Sequence, residues 1–208
     1  MTDVHTKTIL DEIEQQTIAH YDLNAESFWE GTKDHDVSQN IQALLRALPK
    51  KLSLDILDLG CGPGRDLLTF KKLGHHPVGV DGSKRFCDMA RAFSGCEVWH
   101  QNFLSLTLGE SCFDGVFANA SLFHIPSKEL PKVLSVCYSA LRPNGILFMS
   151  NPRGSAEGWQ GTRYGNYMEL SDCSKYLESA GFSFIDHYYR PSGLPKNQQP
   201  WLAIVAQR

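Results

Sequence analysis

Short apolar runs alternate along the chain with longer amphipathic segments. Five runs have the length and apolar content of buried strands: residues 54–59, 76–80, 97–100, 113–118 and 146–150. Segments with helical spacing of their apolar residues occupy 65–73, 84–93, 129–141 and 170–180. This alternation is typical of a parallel sheet with crossover helices. Two further runs, 182–189 and 201–207, have no helix between them, so we expect an antiparallel pair at one end of the sheet.

About 50 residues precede the first predicted strand. The patterns at 8–20 and 37–48 predict two helices, and Asp36 with Gln39 resembles a capping box for the second. Between them lies YDLNAESFWEGTKDHD, an aromatic and charged stretch that we predict to be a lid over the ligand-binding end of the sheet. The segment that follows the fifth strand, NPRGSAEGWQGTRYGNY, is predicted to be irregular.

The composition excludes several classes of function. A net charge of −3 does not suit a nucleic-acid binder, because such binding depends on Lys and Arg at phosphates. No apolar run approaches the roughly 20 residues that span a bilayer, so no membrane partner is expected. The six cysteines show neither C-x-x-C nor zinc spacing, and the first residues are polar. We therefore expect a cytoplasmic, reduced protein without a metal site, as a monomer or homodimer.

The stretch ILDLGCGPGRD at 56–66 predicts the position of a ligand. Gly60, Gly62 and Gly64 follow a buried strand directly, and a glycine backbone lets a ligand approach closely. The helix that follows offers free N–H groups and the positive end of its dipole. Asp81 ends the second strand, where a carboxylate can accept hydrogen bonds from both hydroxyls of a ribose. Together these features indicate a site for a nucleoside-containing cofactor.

The spacing of the glycines separates two kinds of nucleotide site. The dinucleotide fingerprint G-x-G-x-x-G requires a glycine at position 65, where this chain has Arg65. The form present, D-x-G-x-G-x-G from Asp58, resembles motif I of the class I S-adenosylmethionine (SAM) dependent methyltransferases, and the resemblance extends over roughly residues 20–208. It implies an α/β, Rossmann-like, seven-stranded and mostly parallel sheet with one antiparallel strand near the end. The chain is then a single domain, 1–208, with an N-terminal helical cap at 1–50 and a core at 51–208.

The resemblance also assigns roles by position. It implies SAM as the cofactor, with S-adenosylhomocysteine (SAH) as its product, and a small-molecule acceptor. The implied cofactor-binding residues are Asp58, Gly60, Cys61, Gly62, Gly64, Asp81, Gly82, Ser83, Asn102, Phe103, Asn119 and Ala120. Asn102 stands where the family often has Asp, and its side-chain oxygen can accept from the adenine amino group.

The acceptor half of the site is predicted from residue types in the irregular segments. His124, just past the fourth strand, is the first candidate for a general base, and His35 in the lid is the second. A structural role is the alternative for both. The expected acceptor-binding residues are Tyr21, Phe28, Trp29, Phe123, Arg153, Arg163, Tyr164 and Tyr189. Aromatic rings suit an apolar acceptor and arginine suits a carboxylate. The alternative function is nucleotide binding without methyl transfer, in an NAD-dependent enzyme or a SAM sensor.

Overall fold

The structure of the protein is a computed structural model that describes residues 2–208. The helices of this part of the chain are α1 (Thr2–Leu23), α2 (Ala25–Thr32), α3 (Ser38–Ala47), α4 (Arg65–Lys72), α5 (Lys84–Ser94), α6 (Leu130–Ala140) and α7 (Leu170–Ser179). The strands are β1 (Asp55–Leu59), β2 (His76–Asp81), β3 (Glu97–His100), β4 (Phe113–Asn119), β5 (Leu141–Pro152), β6 (Glu157–Gln160), β7 (Arg163–Asn166), β8 (Ser183–Arg190) and β9 (Trp201–Gln207). None of the helices described combines the length and the apolar character needed to cross a bilayer.

Seven strands form one sheet in the order β3-β2-β1-β4-β5-β9-β8. Strands β1 to β5 pair in parallel, and β9 is antiparallel to both of its neighbours. The predicted fold class is therefore confirmed, including the reversed strand. The order of connection changes direction between β1 and β4. Ligands of open α/β sheets bind at such a point, beyond the carboxyl ends of the strands.

Helices cover both faces of the sheet. On one face Ile41 and Leu44 of α3 pack with Phe148 of β5, and the Phe117 ring stacks on Phe148 with 4.9 Å between centroids. On the other face the buried side chains of α6 and α7 pack against β4, β5 and β9. Burial of each such side chain contributes about 2 kcal/mol, and these two layers hold the strand ends in fixed positions.

The N-terminal region differs from its prediction. Helix α1 runs from Thr2 to Leu23 and is longer than the predicted 8–20, and the lid stretch contains a helix of its own, α2. The predicted capping box is wrong. Asp36 Oδ1 accepts a hydrogen bond from the Ser38 N–H at 2.9 Å, and the N-cap position of α3 is Val37. The aspartate stands one residue too early to reach the third N–H of the helix.

The segment after the fifth strand is also more regular than predicted. Strand β5 begins at Leu141, five residues before the predicted strand at 146–150. Beyond it, β6 and β7 form a two-stranded antiparallel hairpin in which Trp159 pairs with Tyr164. Gly161 has a φ of +67° at the two-residue turn, a conformation that glycine adopts without strain. The hairpin lies against the segment that follows β4.

Two of the three glycines after β1 are required by packing. A Cβ atom on Gly60 would lie 2.3 Å from the Ser121 Cβ. The Ser121 hydroxyl donates to the Leu59 carbonyl at 2.6 Å, so the loop after β4 rests directly on the end of β1. The Gly60 N–H in turn donates to the Val80 carbonyl at 2.7 Å, which ties the turn to β2.

Gly64 and Gly62 both have a positive φ, +94° and +53°, but the space around them differs. A Cβ on Gly64 would lie 2.9 Å from the Ala90 Cα, where α4 and α5 make their closest approach. A Cβ on Gly62 would meet nothing nearer than Phe28 at 3.9 Å. Gly62 is thus the glycine that leaves its backbone open to a ligand.

We predict that Gly64→Ala destabilises the protein more than Gly62→Ala. Both substitutions impose roughly 1 kcal/mol or more of left-handed strain on an L-residue. Only Gly64→Ala also forces α4 away from Ala90, which adds about 1–3 kcal/mol. Urea unfolding of the two variants measures the difference. Equal free energies of unfolding would contradict the packing role of Gly64.

Candidate active site

A cavity of about 560 Å³ lies beyond the carboxyl ends of β1, β2 and β4. Its walls come from α1, α2, the glycine turn, the loops after β2, β3 and β4, the β6–β7 hairpin and the segment that joins β8 to β9. Most of the predicted site residues line it: Tyr21, Phe28, Trp29, His35, Gly60, Cys61, Gly62, Asp81, Gly82, Ser83, Asn102, Phe103, Asn119, Ala120, Phe123, His124 and Arg163. The predicted cofactor-binding and acceptor-binding residues thus face a single space.

Five predicted residues lie outside the cavity: Asp58, Gly64, Arg153, Tyr164 and Tyr189. Arg153, which was predicted to bind the acceptor, has partners elsewhere. Its guanidinium contacts the Glu169 carboxylate at 3.3 Å and lies 4.6 Å over the centre of the Tyr189 ring. Arg153 and Tyr189 therefore pack against each other outside the cavity. The Tyr164 hydroxyl donates to Glu157 at 2.9 Å, which directs that ring away from the cavity as well.

Asp81 is fixed by the backbone on either side of it. Its Oδ2 accepts from the Gly62 N–H at 2.9 Å and its Oδ1 from the Ser83 N–H at 2.8 Å. Burial raises the pKa of Asp81 to about 6, and the two N–H donors oppose that shift. The carboxyl group lines the cavity, so its remaining acceptor capacity faces the space that a ligand would fill.

Asp58 lies behind the glycine turn and is almost fully buried. In the part of the chain that the structure describes, its Oδ2 has no hydrogen-bond partner. Burial raises the pKa of Asp58 well above its ordinary value, and the charges of Asp66 and Asp81 raise it further, against Arg65. A proton on Asp58 would relieve this repulsion.

Helix α1 supplies part of the cavity wall through Glu14 and Ile18, which were not among the predicted site residues. Glu14 accepts hydrogen bonds from the Asn102 Nδ2 at 3.0 Å and from the Leu104 N–H at 3.4 Å. Burial raises the pKa of Glu14, while these two donors lower it. One turn later Ile18 packs so close to Gly82 that a Cβ there would lie 2.9 Å from its Cδ1. The helix therefore covers the cavity beside Asp81 as well as at Asn102.

His124 is held between two partners. Its Nδ1 lies 2.6 Å from the Tyr164 carbonyl, and a carbonyl can only accept, so Nδ1 carries the proton. Its Nε2 therefore accepts from the Tyr21 hydroxyl, 2.7 Å away. Burial lowers the pKa of His124 to about 4, and the nearby Arg163 charge acts in the same direction. The imidazole is neutral at physiological pH, with a lone pair directed toward Tyr21.

The C-terminal part of α1 is fastened to the hairpin. The Thr17 hydroxyl oxygen accepts from the Tyr164 N–H at 3.1 Å, and Arg163 donates to the Tyr21 hydroxyl at 3.2 Å. His20 and Thr162 lie 2.6 Å apart at the rim. Tyr21 is thereby placed by contacts from two sides.

A polar network forms the floor of the cavity between α4 and β4. Arg65 binds both carboxylate oxygens of Asp66, at 2.7 and 3.0 Å. Asn119 donates to Asp66 at 3.2 Å and accepts from Asn40 at 2.8 Å. Arg65, which stands at the position of a dinucleotide-site glycine, thus has a structural use here.

Arginines and aromatic rings line another part of the cavity. Arg163 and Arg190 line the cavity, and within residues 6–208 neither forms an ion pair with a carboxylate. The Phe123 and Trp201 rings lie 6.3 Å apart at an edge-to-face angle. His35 is exposed at the rim. Arg190 was not among the predicted residues. This end of the cavity offers cationic donors beside apolar surface.

Comparison with known proteins gives the chain its context. Residues 56–145 match the model of a family described as a methyltransferase domain. The chain is 33% identical over 118 residues to a trans-aconitate 2-methyltransferase of Azoarcus sp. (strain BH72), covering 55% of this chain and 45% of the relative. It is 27% identical over 125 residues to a malonyl-[acyl-carrier protein] O-methyltransferase of Pectobacterium atrosepticum, covering 57% of this chain and 49% of the relative. The chain thus spans about half the length of these curated relatives.

Among solved structures, the chain resembles the Burkholderia thailandensis 1,6-didemethyltoxoflavin-N1-methyltransferase, whose crystal structure has 1,6-didemethyltoxoflavin and SAH bound. The TM-score is 0.76 at 22% identity, and the match covers 96% of this chain and 90% of that one. At this identity the likeness establishes the fold.

We predict that His124 makes the stability of the protein depend on pH. A histidine whose pKa is lowered in the native state binds fewer protons there than in the unfolded state. Its contribution to the free energy of unfolding is therefore complete above its ordinary pKa of 6.5 and is lost as the pH falls toward 4. As the pH falls to 4, the free energy of unfolding of the natural protein should decrease by up to about 3 kcal/mol more than that of His124→Asn.

Urea unfolding at several pH values between 7 and 4 measures this difference. Asp81, whose raised pKa of about 6 has the opposite effect, is common to both proteins and cancels in the comparison. Parallel pH profiles for the two proteins would show that the pKa of His124 is not lowered in the folded state.

Proposed function

We propose that this chain, which carries a class I SAM-dependent methyltransferase domain, is an enzyme that transfers a methyl group from SAM to a small-molecule acceptor. The family match bears out the predicted family and cofactor. The alternative of a nucleotide-binding protein without transferase activity finds less support, because a sensor needs no acceptor compartment. A dinucleotide enzyme is disfavoured by the use of Arg65 in the ion pair with Asp66.

One observation supports the proposal more than any other. A single cavity of about 560 Å³ has a nucleoside end at Asp81 and Asn102 and a second end at Phe123, Trp201 and Arg190. Its volume lies within the range usual for small-molecule sites. A macromolecular acceptor would need an open groove, whereas helix α1 and the hairpin enclose this space. The reaction therefore suits an acceptor of small size.

The cofactor end fits SAM on the chemistry of its residues. Asp81 offers a fixed carboxylate for the two ribose hydroxyls, and Gly62 leaves its backbone open on the cavity side. Ser83 caps α5 by accepting from the Phe86 N–H at 3.0 Å, which keeps the Asp81 loop in place. Asn119 and Ala120, after β4, lie where the two ends of the cavity meet. When bound, SAM supplies an electrophilic methyl group on its sulfonium.

His124 is the group best placed to receive a proton. In transfer to a hydroxyl or amine, a lone pair of the acceptor oxygen or nitrogen would form the new bond to carbon, and the electrons of the broken S–CH3 bond would return to the sulfur. The acceptor then loses one proton to a base, and the electron pair of that O–H or N–H bond stays on the acceptor atom. The lone pair of His124 Nε2 accepts from the Tyr21 hydroxyl, so the acceptor's proton would reach the imidazole through that hydroxyl. A carboxylate acceptor has no proton to lose, and His124 and Tyr21 would then serve only to orient it.

Arg163 and Arg190 suit an anionic acceptor, since their guanidinium groups can form charge-assisted hydrogen bonds. Two relatives carry names that refer to methylation of malonyl and trans-aconitate acceptors. We infer that the acceptor of this chain has a carboxylate or similar anion, with an apolar body against Phe123 and Trp201.

We predict that the affinity for SAH falls as the pH falls through about 6, the pKa to which burial raises Asp81. Ribose hydroxyls donate to the ionised carboxylate, so protonation of Asp81 competes with binding. Calorimetric titration should show the Kd rising about tenfold between pH 7.5 and pH 5. In Asp81→Asn the binding should be weak and insensitive to pH over that range. A constant Kd in the natural protein would show that Asp81 does not hold the ribose.

The transfer itself is tested with methyl-labelled SAM and a panel of small ring-bearing carboxylic acids. Label should appear in at least one acid, and Arg163→Gln and Arg190→Gln should each raise its KM by ~10–100-fold, because one charge-assisted hydrogen bond is lost. The Kd for SAH should stay unchanged. Arg46→Gln, on the exposed face of α3, is the matched control. Tight SAH binding with no labelled product from small acceptors of any class would favour the sensor.

A further inference from the structure

The amide of Asn102 has two faces that a purine would read differently. Its oxygen accepts hydrogen bonds and its nitrogen donates them. Adenine carries an amino group on its six-membered ring, which donates, whereas hypoxanthine carries an oxygen there, which accepts. Which purine this site prefers therefore depends on which atom of the Asn102 amide faces the cavity.

Glu14 decides that orientation. The Asn102 Nδ2 donates to the Glu14 Oε2 at 3.0 Å, so the nitrogen is directed toward α1. A rotation of the amide by 180° would place its oxygen against a carboxylate, which cannot donate when ionised. The second oxygen of Glu14 accepts from the Leu104 N–H, so the carboxylate is itself held in place. The Asn102 Oδ1 remains on the side of Gly82, 3.5 Å from where a Cβ on that glycine would lie.

We propose that Glu14 is a specificity-determining positioning residue, which turns the Asn102 oxygen toward the cavity so that the site accepts a 6-amino purine and rejects a 6-oxo purine. The inference rests on the proposed function, because it concerns the nucleoside of the same cofactor. It assigns to α1, outside the matched family segment 56–145, a direct part in cofactor recognition.

The same contact explains why an amide suits position 102. Aspartate at 102 would place two carboxylates about 3 Å apart beneath α1, and their repulsion would push the helix out or force one of them to bind a proton. Asparagine removes the repulsion, and Glu14 then makes the amide present only an acceptor. The site should recognise adenine equally well if the two functional groups are exchanged, with a carboxylate at position 102 and an amide at position 14.

The test measures the Kd of SAH and of its hypoxanthine analogue, S-inosylhomocysteine, by calorimetry. The natural protein should bind SAH about tenfold or more tightly than the analogue. The adenine amino group donates a hydrogen bond to the Asn102 oxygen, whereas the hypoxanthine oxygen would face that oxygen without a proton between them. In Glu14→Gln the amide of Asn102 can face either way, so the preference should fall to within about threefold. Asn102→Asp should weaken SAH binding through repulsion. The double variant Glu14→Gln with Asn102→Asp should restore both affinity and preference.

Glu12→Gln removes the same charge from the exposed face of α1 and is the matched control, which should behave as the natural protein. A preference for SAH that survives in Glu14→Gln, or a double variant no better than its single variants, would overturn the inference while leaving the proposed function intact. Failure of the natural protein to bind SAH would overturn the proposed function and the inference together.

Discussion

The site depends on how closely the turn after β1 approaches the loop after β4. Only a residue without a Cβ fits at Gly60, where Ser121 occupies the space and donates its hydroxyl to the end of β1. This contact holds together the two neighbouring strands at which the chain changes direction across the sheet. Because the contact is short and buried, the nucleoside end and the acceptor end of the cavity share one rigid floor, and Asn119 continues that floor into the polar network below.

The roof of the cavity is built on different principles. Helix α1 contacts the core through polar pairs, among them Glu14 with Asn102 and Tyr21 with His124. Such contacts are directional, so they fix where each side chain points as well as where the helix lies. Asp22 adds a further anchor, since its carboxylate accepts from the Ser83 hydroxyl at 2.5 Å. The polar contacts of the roof thus orient the side chains that face the cavity.

Much of the fold was predictable because strand and helix periods are local properties of a sequence. The glycine turn and Asp81 were predictable for the same reason. The part played by Glu14 was not, since an acidic residue on an amphipathic helix gives no sign of the loop it will meet. Arg190 was missed for a related reason. Strand β8 has a register shift between Phe184 and Asp186, and a shift of one residue exchanges the two faces of a strand, so the sequence did not show that Arg190 and not Tyr189 would line the cavity.

Helix α1 has one further consequence, which concerns the coupling between two ligands. The same helix presents Glu14 and Ile18 to the nucleoside end and Tyr21 to the acceptor end. A ligand whose binding at the nucleoside end held this helix in place would also hold Tyr21 against His124. By thermodynamic linkage, a ligand that contacted Tyr21 would tighten binding at the nucleoside end by the same factor. One continuous helix can in this way couple the two ends of the cavity.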